Sequence, residues 1–176
     1  ARRSDDRDGS GSRELFVFPL EQARKEIEYA ISKAAIDPYN ESPWRYFIAI
    51  IREQLKLSMI IGKEYGTGGD GDGDGDGDGD GDGNGNGDND DSTFHKFLLE
   101  CEAKVIQTKK EFEEEYNKDG KECTHLLSAY VDILHMKGDE ISCHIAHGLC
   151  EELANRYDTV RKKYWDMRAN QITSSH

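Results

Sequence analysis

The chain has 176 residues and 19.9 kDa, room for one domain, and carries 36 acidic side chains against 23 Lys and Arg for a formal charge of −13. Ten of the acids are the Asp of residues 70–91, where Lys, Arg and Glu do not occur, and taking those ten from −13 leaves −3 on the remainder. A nearly balanced body with no basic stripe argues against nucleic acid, which is bound by neutralising phosphates. The longest apolar run, Phe47–Ile51, is far shorter than the roughly 18 residues of a membrane span.

Residues 1–13 are charged and rich in Gly and Ser, and are expected to be an unstructured lead-in. Ala1-Arg2-Arg3-Ser4-Asp5 runs into charge rather than an apolar stretch. This fits neither a signal peptide nor a twin-arginine signal, and the chain is expected to begin in mid-protein. Four cysteines on helical segments with no secretory signal fit reduced, partly buried thiols of a cytoplasmic protein.

From residue 14 to 65 one helix pair is expected. Leu20, Ala23, Ile27, Ala30, Ile31 and Ala34 recur at helical spacing behind Pro19, and Asp37-Pro38 ends that helix near Ile36. A second helix opens after Asp37-Pro38-Tyr39-Asn40-Glu41, with Ser42 as cap and Pro43 at the first helical position, and runs to about Leu57. Trp44, Phe47, Ile48, Ile51 and Leu55 form one stripe on it, and Tyr46, Ile50 and Leu57 a second on roughly the opposite side. A helix apolar on two sides is sandwiched between neighbours. Residues 66–92 are a Gly-Asp alternation with nothing apolar to offset the entropy of ordering glycine-rich backbone, and they read as a disordered, self-repelling insertion.

The solenoid is expected to resume over residues 93–172, with a short tail at 173–176. Ser92 or Thr93 opens a long helix with a single apolar stripe, Phe94, Phe97, Leu98, Cys101, Val105 and Phe112, before a turn at Asn117–Gly120. Three more helices follow, over about Lys121–Met136, Asp139–Tyr157 with Ile141, Ile145, Ala146, Leu149 and Leu153 as its apolar positions, and Asp158–Gln171 with Arg161, Tyr164, Trp165 and Arg168. Nothing reads as a strand. The fold class is all-α, an α-α superhelix of antiparallel helix pairs interrupted by the Gly-Asp insertion.

Pro38, Asn40, Ser42 and Trp44 hold the places of a Pro-x-Asn-x-(Tyr or Ser)-x-Trp motif at the opening of a helix. This segment resembles the repeat of protein prenyltransferase α-subunits, and Asn-Glu-Ser-x-Trp is similar to the last well-formed repeat of the type shared by farnesyl and type I geranylgeranyl enzymes. Asp158–Trp165, with Tyr164 and Trp165, resembles the closing helix of that type, while 127–134 and 149–154 fit the intervening helices more loosely. Phe47 stands where the repeat usually has Arg, and the Gly-Asp insertion replaces a shorter connection. The resemblance implies a C-terminal part of an α-subunit, acting as scaffold and subunit interface beside a β-subunit. The heterodimer would transfer a farnesyl or geranylgeranyl group from isoprenyl diphosphate to the cysteine of a C-terminal CaaX motif. It also implies zinc on the β-subunit and magnesium in the holoenzyme, with no cofactor and no catalytic residue on this chain. A stand-alone helical-repeat protein-binding module and a Rab geranylgeranyltransferase α-subunit are the alternatives.

Read physically, Asn40 and Ser42 bond backbone at a helix start, and Trp44 is a large apolar body whose indole N–H needs one partner. Cys143, His147 and Cys150 lie within about 60° on one helix and are zinc-type donors. Crowded on one helix and one donor short, they read as two partly buried thiols beside a solvated histidine, so no metal site is expected. The Asp-Gly run lacks the glutamate that closes a calcium loop.

Overall fold

The computed structural model describes residues 19–65, 90–115 and 122–174. Among them every element is helical: α1 (Leu20–Ile36), α2 (Glu41–Tyr65), α3 (Asp90–Glu115), α4 (Thr124–Lys137), α5 (Glu140–Glu152) and α6 (Lys162–Ser174). A π-helical turn, Leu153–Tyr157, and a 3-10 turn, Thr159–Arg161, link the last two. The lead-in, most of the Gly-Asp insertion and the turn at Asn117–Gly120 lie outside the described residues.

Sequential helices pair as α1 on α2, α3 on α4 and α5 on α6, and the pairs stack through α2 on α3 and α4, α1 on α3, and α4 on α5. This is the arrangement of an α-α solenoid. α2 packs against α1, α3 and α4 with most of its first stripe and Ile50 buried, but of its second stripe Tyr46 is exposed and Leu57 half-buried. Phe47, Ile48, Ile50 and Ile51 are all buried in one continuous core that runs from Ala23 to Ile172. Ala23, Ile27, Ala30 and Ala34 give α1 a shallow face, so that α2 approaches closely. Across the top of that contact Arg24 grips Glu100 of α3 at 2.8 and 2.9 Å, and Lys104 of α3 pairs with Glu28.

Several boundaries differ from those read in the sequence. α2 continues to Tyr65, past Leu57, because its last turns have no strong breaker before Gly66-Thr67-Gly68. α3 begins at Asp90, inside the span assigned to the insertion. Asn40, rather than Ser42, caps α2: its Oδ1 accepts from the Ser42 N–H at 3.0 Å, and Pro43 falls third in the helix, where its missing N–H is still without cost. α6 extends to Ser174, into the expected tail.

α5 turns a different face inward. Ile141 and Ile145, expected in the core, are 73% and 42% exposed, and Ser142, Cys143, Ala146 and Cys150 are buried instead. These small side chains let α5 lie close to both α4 and α6, and bulkier isoleucines on that face would hold the helices apart. All four cysteines are buried free thiols. Burial pushes Cys101 up to about 12 and Cys150 up to about 11, which keeps them protonated and inert.

Gly138 closes α4 in the left-handed conformation that glycine tolerates, at φ 70°. Asp139 then caps α5, accepting from the Ser142 N–H at 2.8 Å and from its hydroxyl at 2.6 Å. Those two bonds hold the Asp139 carboxyl below its ordinary range. A depressed folded value means stability that is present above the unfolded pKa, about 4, and is lost as pH falls through the lower folded one. Asp139→Ala is expected to cost about 1 kcal/mol at neutral pH. The gap between wild type and variant in urea midpoints should close as pH is taken down through that window; a gap that stays constant with pH would show that the carboxylate's charge plays no part in the cap.

Candidate functional site

The segment Asp37–Asn40 is a tight turn, closed by Asn40 N–H to Asp37 O at 3.1 Å, with Pro38 presetting its first central position. The Pro38 carbonyl is a shared acceptor: the Trp44 indole donates to it at 3.1 Å and the Cys123 thiol at 2.9 Å. Trp44 thereby ties the start of α2 to the turn, and Cys123, the N-cap residue of α4, ties the next pair to the same oxygen. Tyr39 stacks edge-on against Phe112 near the end of α3, ring centroids 5.6 Å apart. One turn is thus held by three helices. Ser42 stands exposed within the first turn of α2.

A corner of the same kind opens α6. The Trp165 indole donates to Asp158 Oδ2 at 2.7 Å, and Arg161 Nε donates to that same oxygen at 2.6 Å while its guanidinium lies over the Trp165 ring at 5.7 Å. Trp165 is buried. Tyr164 packs edge-on to it at 4.8 Å and points outward. Both tryptophans therefore sit near the start of the second helix of a pair, and each indole reaches back to an oxygen of the preceding turn. Because the helices alternate in direction, both corners fall at one end of the stack.

Between these corners runs a cleft of about 720 Å³, walled by α2 on one side and by α4 with the Arg161–Tyr164 segment on the other. Trp44 and Ile48 form its floor, and Arg45, Arg52, Lys56 and His125 stand along it. Burial lowers the pKa of His125, which has Glu41 and Arg45 of α2 across the cleft and Asp158 and Arg161 beside it on its own wall. Beneath the cleft Asp132 of α4 accepts from Arg52 of α2 at 3.0 Å and from Arg168 of α6 at 2.6 Å, so one carboxylate spans three helices.

Among the sequence-selected residues, the structure brings Pro38, Asn40 and Trp44 into one corner and Tyr164 and Trp165 into another. It does not make a metal centre of Cys143, His147 and Cys150. Cys143 and Cys150 are buried and His147 lies 3.9 Å from Glu151, and among the described residues no group of three His, Cys, Asp or Glu side chains could hold a metal ion. Sequence reasoning passed over Cys123, Asp132 and the paired role of Asp158. Cys123 and Asp132 act on partners from distant parts of the chain, which no local spacing encodes, whereas Asp158 meets Arg161 and Trp165 only three and seven residues on.

No protein-family profile and no solved structure matches the chain. It is similar to a protein farnesyltransferase/geranylgeranyltransferase type-1 subunit alpha of Dictyostelium discoideum, with 24% identity over 156 residues, 89% of this chain. The chain spans 34% of that relative's length, so what the two share is a distant relationship over about a third of an α-subunit.

Proposed function

We propose that this chain is the C-terminal scaffold of a prenyltransferase α-subunit of the farnesyl and type I geranylgeranyl kind, working in the cytoplasm with a β-subunit. The observation that supports the reading most is the pair of tryptophan corners. The two segments that resemble the family, far apart in sequence, occupy equivalent positions at one end of the stack, as repeats of one unit would. The distant relationship to the Dictyostelium discoideum α-subunit agrees with it.

In this reading the chain holds the arc of helices rigid and presents it to the β-subunit, and the holoenzyme moves a farnesyl or geranylgeranyl group onto a CaaX cysteine. In the same reading the zinc that activates the thiolate is held by the β-subunit. Magnesium would accompany the diphosphate there. No catalytic step is given to a residue of this chain.

The test is co-expression of this chain, joined to the N-terminal repeats of a related α-subunit, with a tagged β-subunit. Recovery of the heterodimer and isoprenyl transfer to a CaaX peptide are the expected results, and the isoprenoid accepted would separate the farnesyl from the geranylgeranyl enzyme. A folded chimera that leaves the β-subunit unbound would return the chain to the class of helical binding modules.

A further inference from the structure

We draw no further inference here: the strongest candidate, the surface patch that exposed Tyr29 of α1 and Tyr46 of α2 form beside Glu26, carries nothing because nothing in the structure shows what covers it.

Discussion

Replacing Trp165 by alanine should remove about 3–5 kcal/mol of stability, the range for deleting a fully buried indole from a packed core. Trp165 is 1% exposed and lies among the largest fully buried side chains. Its removal opens a void on the buried face of α6 that it shares with Ala169 and Ile172, in a close-packed core. Trp165→Phe separates packing from hydrogen bonding. It keeps most of the apolar volume, drops the bond to Asp158, and leaves that carboxylate engaged by Arg161, so a cost nearer 1 kcal/mol is expected. Urea unfolding followed by far-ultraviolet circular dichroism reads both. If the alanine variant lost no more than the phenylalanine one, the corner would owe its strength to the hydrogen bond and the packing account would fail.

Asp132→Ala should cost about 3 kcal/mol, the low end for stranding a buried charge. Asp132 and Arg168 are 17% and 15% exposed in their side chains, and the Arg168 Nε already has no acceptor. Without the carboxylate, Arg168 keeps only a long contact to Gln171 at 3.5 Å. Arg52→Ala removes the other, half-exposed cation from the same carboxylate and should cost no more than about 1 kcal/mol. Asp132→Leu combined with Arg168→Met removes both charges together and should recover much of the loss. Equal destabilisation by Asp132→Ala and Arg52→Ala would mean that α4 gains as much from its hold on α2 as from its hold on α6, against the burial difference.

What could be read from the sequence was local. α1 begins and ends where its apolar spacing and Asp37-Pro38 place it, and the stripe of α3 is buried residue for residue from Phe94 to Phe112. α5 was misread because periodicity favours the larger apolar residue. Ile141 and Ile145 outrank Ser142, Cys143 and Cys150 on any hydropathy scale, but the distance between α4 and α6 decides which side can turn inward. The cleft escaped for a related reason. Along the chain Arg45, Arg52 and Lys56 alternate with Glu41 and Glu53, and the opposite wall comes from Arg161 and Tyr164 of the last helix pair. Trp44 could be assigned a helix-start role from its neighbours, but its acceptor and the second donor to that acceptor, Cys123, were visible only after folding.

The π-helical turn at Leu153–Tyr157 has the arithmetic of an inserted residue. Asp158 N–H bonds Leu153 O at 2.8 Å, five residues back instead of four, so the helix carries one residue beyond a regular count. That surplus turns the last residues of the helix by about 100° before the chain leaves helical geometry at Asp158, whose carboxylate accepts from the indole of Trp165. An alignment of relatives should therefore treat this turn as the place where a one-residue gap is a change of orientation, and should align Asp158 together with Trp165 instead of with the helix that precedes it.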